Sequence, residues 1–434
     1  MRTLPKRFTA PAPAGPGVAS TTPATGRPAT LTTGADWPGR DLLDSPMLAR
    51  VLLAVWGGDP AVCVPACPGA GKSRLVALLA AALAHRVGLR IAVAAQTREQ
   101  CVELARRIAA VSDRSSLIVS GARRRAGAVN GLRTVTGRGV RWSRGSGGEI
   151  LVGTAARWLY VDPSLCGADV LLVDEAWQCT YADLGALGAL ARQVVCVGDP
   201  GQVAPVVTGS TDRWAGQATG PHQPAPSALI AAHGAAITVH EMTDSWRLGP
   251  DTCSLLSGHF YSQMPITSCR PDEAVIAPDG NPLPEILARP TAAVNGPTDR
   301  ALLDALAGRV RELTWCDYRR GSERAPLTAA EIAVVVPHVA QAGAVRALLA
   351  DMPEVLVGTA NALQGLERPA VVALHPGAGY RSAESFWLDA GRMCVTLSRH
   401  RAHLTVVTDP ATNALLARSA DPAAVAARGV LEAL

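Results

Sequence analysis

Apolar positions in this chain follow two rhythms. Short runs that are apolar throughout, Ala61–Val64, Val170–Val173 and Val194–Val197, predict strands covered on both faces. Leu89–Ala95, Ser115–Ser120 and Ile150–Gly153 extend that series. Between them apolar residues recur at helical spacing. Met47, Leu48, Val51, Leu52 and Val55 predict a helix from Ser45 to Trp56, with Ser45 as N-cap and Pro46 as first helical residue. Another helix comes after Gln96–Gln100 and runs through Ala109. A second set of strands comes later: Ile332–Val336, Val355–Val357, Ala370–Leu374 and Leu404–Val407. Alternating buried strands and helices predict parallel α/β sheets, with ligands at the C-terminal ends of the strands. Pro205–Gly234 is loop-rich, and the boundary between two lobes is placed near His240. Asn281–Arg300 reads as a Pro-containing connection.

Polar punctuation of the first strands carries the chemistry. Ala61–Val64 leads into Ala66-Cys67-Pro68-Gly69-Ala70-Gly71-Lys72-Ser73, and the chain continues as the apolar Leu75–Ala80. That order is strand, glycine loop, helix. Pro68, Gly69, Ala70 and Gly71 can curl backbone N–H groups around a phosphate at a helix N-terminus. Lys72 is placed to reach the β- and γ-phosphates of ATP, and the Ser73 hydroxyl to hold Mg²⁺. Ala66 stands where the usual pattern has its first glycine. Only Lys6 and Lys72 are lysines; every other strong base is arginine, so lysine in the body of the chain survives only where a compact point charge is needed. Val170–Val173 ends in Asp174-Glu175, the metal-and-base pair expected opposite a phosphate loop: Asp174 for Mg²⁺, Glu175 for the attacking water.

Composition narrows the rest. The 434 residues suit two domains, and 48% hydrophobic residues supply real cores. Residues 1–40 are rich in Pro, Ala, Thr and Gly and read as a disordered, weakly basic tail. The net charge of +5 permits a polyanionic partner without demanding one. The ten cysteines include no C-x-x-C pair, which fits a reducing cytoplasm. No charge-free run is long enough to cross a membrane. Residues 121–148 carry seven arginines, Arg123, Arg124 and Arg125 among them, with Trp142 and no acid. This Arg-rich insertion reads as a mobile excursion that touches nucleic acid, with Trp142 able to stack on a base. His400 and His403 lack partners at metal spacing and read as surface histidines beside a cleft.

Six further segments, in order behind the phosphate loop, resemble the superfamily 1 helicases. Asp174-Glu175-Ala176-Trp177-Gln178 resembles D-E-A-x-Q, and Gly198-Asp199-Pro200-Gly201-Gln202-Val203-Ala204-Pro205 resembles G-D-x-x-Q-L-x-P. Ser245-Trp246-Arg247 resembles the Q-Y-R segment that opens the second lobe, and Pro337–Gln341 resembles P-Y-x-x-Q. Thr359–Glu367 resembles T-V-D-x-F-Q-G-x-E, and Val395–Arg401 resembles V-A-L-T-R-A-R. The D-E-A-x-Q and Q-Y-R forms are similar to those of the UPF-like, 5′-to-3′ branch.

The resemblance implies two RecA-like P-loop NTPase domains, residues 41–240 and 241–434, with parallel sheets and ATP in the interdomain cleft. It implies an ATP-driven translocase on single-stranded DNA or RNA, with a clamping ATP switch that does not unwind as the alternative. Arg247 and Arg399 would reach the γ-phosphate as arginine fingers, and Gln202 would sense it. Gln364 and Gly365 would lie at the same interface, with Trp246 near the base. Thr97, Thr154 and Thr359 match positions that touch the phosphodiester backbone; as strand-end caps they would serve equally well. Ser245 and Trp246 depart from Gln-Tyr, and Leu363 from Phe. No glutamine precedes Gln96, so the family's adenine-reading glutamine is missing and loose base selectivity is expected.

Overall fold

The apolar runs form strands, and the strands form two parallel sheets. The computed structural model describes residues 37–120, 129–136, 140–143, 148–363, 365–383 and 386–434. Trp37–Leu434 makes one compact unit. The first sheet comprises β1 (Ala61–Pro65), β2 (Arg90–Ala95), β3 (Ser115–Val119), β4 (Thr134–Thr136), β5 (Glu149–Thr154), β6 (Ala168–Val173), β7 (Ala191–Gly198) and β8 (Thr238–Val239). Its order is β4-β3-β5-β2-β6-β7-β1-β8, every pair parallel. Two short strands come next, β9 (Asp244–Ser245) and β10 (Thr267–Ser268). A small antiparallel sheet, β11-β13-β14, is built from β11 (Glu273–Ile276), β13 (Asp317–Arg320) and β14 (Glu323–Pro326). The second large sheet holds β12 (Ile286–Pro290), β15 (Ile332–Val336), β16 (Leu356–Thr359), β17 (Arg368–Leu374) and β18 (His400–Thr408). It runs β12-β18-β17-β15-β16, again all parallel. Parallel pairs need helical crossovers, which cover both faces and explain why β1 and β15 are buried along their whole length.

The helix read over Ser45–Trp56 spans Pro46–Gly57, with Pro46 in the first turn and Ser45 making no side-chain cap. Two strands fall where the pattern showed connections, and a third where it showed no element. β12 lies inside the Pro-containing segment because it is an edge strand, where Pro290 costs no ladder bond on its open side. β4 lies inside the Arg-rich stretch, and β8 adds two residues at the opposite edge of that sheet.

His400 and His403 are not on the surface. β18 runs between β12 and β17, and both histidines are fully buried there. The tautomer of His403 is set by its partners. Arg309 Nη2 can only donate, so Nε2 accepts at 3.1 Å, and Nδ1–H donates to the Pro284 carbonyl at 2.7 Å. Burial, with the Arg309 charge adding to it, lowers the His403 pKa to about 4. The unfolded chain therefore takes up the His403 proton first as pH falls. The stability this neutral ring contributes is complete above the unfolded pKa of ~6.5 and drains away down to pH ~4. Between pH 7 and 5 the wild type should lose about 2 kcal/mol more than His403→Gln, whose amide can keep both contacts. Denaturant midpoints of the two proteins at both pH values check this, and equal losses would refute it.

All ten cysteines carry free thiols; nine are buried and only Cys269 is partly accessible. No described helix is long and apolar enough to cross a membrane, and no cluster of metal-ligating side chains of three or more occurs among the described residues.

Candidate nucleotide site and lobe interface

The turn after β1 takes its shape from two glycines. Gly69 and Gly71 adopt φ of +82° and +86°, which only glycine enters without strain. Gly69 also has no room for a side chain: a Cβ there would lie 2.6 Å from Arg247 Cβ and 2.7 Å from Ser245 Oγ. Ala66 needs no positive φ; it is fully buried and its N–H donates to the Gly198 carbonyl at 2.8 Å, so alanine serves in place of glycine. Gly71 then starts the helix Lys72–Ala82 and leaves its N-terminal N–H groups facing the loop.

Carboxylates surround Lys72 and Ser73. Lys72 Nζ lies 3.4 Å from both the Cys67 carbonyl and Asp199 Oδ2. Ser73 Oγ donates to Asp174 Oδ2 at 3.4 Å. Asp174 is buried at the end of β6; burial first, then the neighbouring Glu175 charge, push its pKa up to about 7, against the pull of Lys72. Glu175 stands at φ +51°, the single non-glycine residue in the left-handed region among the described residues. That conformation costs about 1–3 kcal/mol and turns the carboxylate away from the strand direction, toward the Gln178 amide at 3.4 Å.

Asp199, at the end of β7, is the hub of this half. Besides Lys72 it accepts from Gln202 Nε2 at 2.7 Å, from the Gly201 N–H at 3.0 Å and from Tyr261 OH at 2.5 Å. Tyr261 belongs to the second half of the chain, so one carboxylate joins the phosphate loop, the Gln202 segment and the opposite lobe. Sequence reasoning assigned no role to Asp199 or Tyr261; the signal for Asp199 was its place after an apolar strand.

The second half presses on the phosphate loop directly. The Trp246 N–H donates to the Gly69 carbonyl at 3.1 Å, and Ser245 Oγ donates to the Pro68 carbonyl at 2.8 Å. Serine in place of the family's glutamine thus has a structural use. The Trp246 side chain is 59% exposed. Arg247 bonds Glu367 through Nε and the Ser398 carbonyl through Nη1 at 3.2 Å. Arg399 is buried, donating to the Val395 carbonyl at 3.2 Å and Ser398 Oγ at 3.0 Å. Burial first, then the Arg247 charge, lower its pKa to about 10. A Cβ on Gly391 would lie 2.6 Å from the Gln202 carbonyl oxygen, a second close approach of the two halves. Gly365 takes φ +80°, while Gln364 lies outside the described residues.

The three threonines sit at strand C-terminal ends, and each caps the helix or turn beyond its strand. Thr97 and Gln100 form a reciprocal capping box, the Thr154 hydroxyl accepts from Arg157 N–H at 3.1 Å, and the Thr359 hydroxyl from Ala362 N–H at 3.3 Å. Each hydroxyl keeps its own O–H to donate. Thr97 and Thr154 leave adjacent strands, since Ala95 is the register partner of Thr154. Arg123, Arg124 and Arg125 lie outside the described residues; Arg133 and Arg141 are exposed. Trp142 corrects the base-stacking expectation: its ring packs half-buried against the core and Nε1 donates to the Gly167 carbonyl at 2.8 Å. Its indole N–H finds an acceptor in the Gly167 carbonyl, just past the end of a short helix, which holds the ring against the core.

Residues 50–225 match the model of an AAA domain family, and residues 306–411 match that of a second, also described as an AAA domain. No curated protein matches the chain. Among solved structures it is similar to the PRRSV helicase, at 15% identity and a TM-score of 0.43, over 83% of this chain and 55% of that one. Arterivirus nonstructural protein 10 (helicase) in complex with DNA aligns at 15% identity and TM-score 0.44, over 82% and 62%. The same arterivirus helicase in a further crystal structure aligns at 14% and 0.42, over 86% and 63%. The chain therefore spans between 55% and 63% of the length of these helicase chains.

Proposed function

We infer, for a chain that belongs to the superfamily 1 helicases by its two AAA-domain matches, that it hydrolyses ATP to translocate on single-stranded nucleic acid in the 5′-to-3′ direction. One observation carries the reading. Lys72, at the head of the helix after β1, and Asp174 and Glu175, at the end of β6, flank a phosphate loop that the Ser245–Arg247 segment of the other half touches, and Arg399 feels the charges of Arg247 and Glu175.

The residues suit a magnesium nucleotide. Ser73 Oγ and Asp174 Oδ2 lie side by side, and Asp174, crowded by Glu175, needs positive charge beyond what Lys72 gives. Two protein oxygens are what Mg²⁺ takes when phosphates and water fill its other positions, and it would neutralise charge on the β- and γ-phosphates. Lys72 would exchange Asp199 for phosphate oxygen. Glu175 would orient the attacking water and accept its proton. Arg247 and Arg399 would meet the charge that develops on the transferring phosphoryl group. Trp246 would offer the base a stacking face, and Gln202 would report the phosphate state through Asp199.

Thr97, Thr154 and Thr359 would donate their hydroxyls to the backbone of the strand, joined by Arg123, Arg124 and Arg125. Closure on nucleotide and reopening after hydrolysis would step the two halves along it. The free cysteines fit a reducing cytoplasm. Turnover measured with single-stranded DNA and RNA of equal length should rise about tenfold or more with at least one of them. A rate indifferent to both would remove the nucleic-acid partner. A polarity-marked strand-displacement assay then separates unwinding from a clamp that hydrolyses without unwinding.

A further inference from the structure

Arg247 is the last member of a chain of alternating charges that starts outside every motif of the cleft. Glu273, on β11 of the small antiparallel sheet, is 2% exposed. It takes both ends of the Arg401 guanidinium, Nε at 2.9 Å and Nη2 at 2.5 Å, and accepts from Tyr318 OH of β13 at 2.6 Å. Arg320 Nε lies 3.4 Å from it. Arg401 turns its remaining nitrogen, Nη1, to Glu367 Oε1 at 2.8 Å, and the other oxygen of Glu367 holds Arg247 Nε. Four side chains, negative, positive, negative, positive, thus run without a gap from the small sheet to the cleft.

We propose that Glu273 is a positioning residue for Arg247, acting through Arg401 and Glu367. The geometry gives each link a direction. A guanidinium gripped at two corners by one carboxylate has a fixed plane, so its third corner fixes where Glu367 can sit. Glu367 divides its two oxygens between Arg401 and Arg247. If Arg401 loses its grip on Glu273 it closes on Glu367 with two nitrogens and draws off the oxygen that aims Arg247. The Ser398 carbonyl alone would then hold Arg247, and one bond leaves a long side chain free to swing. Misplacing a group whose contact matters in the transition state lowers kcat and leaves KM nearly unchanged.

The proposal rests on the reading of Arg247 as the group that meets transition-state charge, and a double-mutant cycle separates the two. Steady-state hydrolysis is measured for wild type, Glu273→Gln, Arg247→Ala and the double variant. Glu273→Gln should lower kcat about tenfold with KM within about twofold, and should change kcat by less than about twofold once Arg247 is alanine. Tyr318→Phe, which removes one hydroxyl from Glu273 and leaves its charge, should lower kcat in the same pattern by about two- to threefold, and carries the test if Glu273→Gln does not fold. Equal loss of kcat in both backgrounds would overturn the relay, because a general weakening of the fold would act with or without Arg247. So would an unchanged kcat in Glu273→Gln. A wild-type rate in Arg247→Ala alone would instead remove the arginine assignment, and the relay with it.

Discussion

Arg399→Ala and Arg247→Ala should each lower hydrolysis by about 10³–10⁵-fold while leaving nucleotide affinity within about an order of magnitude. The expectation comes from charge. Burial first, then the Arg247 charge, hold the Arg399 pKa down to about 10, while Arg247 itself is paired with Glu367. Ser398 and the Val395 carbonyl accept two of the Arg399 hydrogen bonds without bringing a charge, and the charges of Asp199 and Glu175 offset the burial only in part. A site built that way is complementary to an anion, and most of all to one whose charge spreads over several oxygens during transfer. Arg399→Ala removes a charge that burial and Arg247 both disfavour, and after Arg247→Ala Glu367 keeps Arg401 as its partner, so both variants should stay folded. Single-turnover hydrolysis with circular dichroism as control reads both halves of the expectation. Wild-type kinetics in both variants would mean that the charge is met elsewhere.

The second large effect belongs to Glu175. Glu175→Gln should bind the magnesium nucleotide at least as well as wild type yet hydrolyse it slower by orders of magnitude. The amide keeps the size of the carboxylate and cannot take a proton. It also removes the charge that helps push Asp174 up to about 7, so Asp174 ionises more readily and the cation site gains. Lys72→Ala should lose binding and turnover together, because it strips the phosphates of their point charge and leaves Asp199 buried without its cation. The diagnostic is the split between the two variants, measured as nucleotide affinity beside turnover. Near-normal turnover in Glu175→Gln would assign the base to another group.

What the amino-acid pattern disclosed was local. The phosphate loop, Asp174-Glu175 and the arginine segments lie at strand ends, where an apolar run stops and a short polar string begins, so both element and chemistry stay within a few residues. What it hid was pairing across distance. Nothing near Asp199 points to Tyr261, and Glu273 and Arg401 are far apart in the chain until β11 and β18 are laid side by side. His400 and His403 read as surface residues because histidine is polar, and only the place of β18 inside its sheet buries them. Trp142 failed likewise: a tryptophan among arginines invites a nucleic-acid reading, yet its N–H found an acceptor at home.

The distribution of thiols has a practical side. Nine of the ten cysteines are sealed in the two halves, and the remaining one, Cys269, donates its N–H to the Ser245 carbonyl at 2.8 Å, one strand away from the segment that leans on the phosphate loop. A maleimide dye therefore meets a single partly accessible cysteine, and that cysteine sits beside the segment that leans on the phosphate loop. Burial and the nearby Asp244 charge raise its pKa, so mildly alkaline buffer speeds the coupling. The protein comes supplied with its own attachment point for a fluorophore that would report the proposed opening and closing, without the cysteine-free background such experiments usually require.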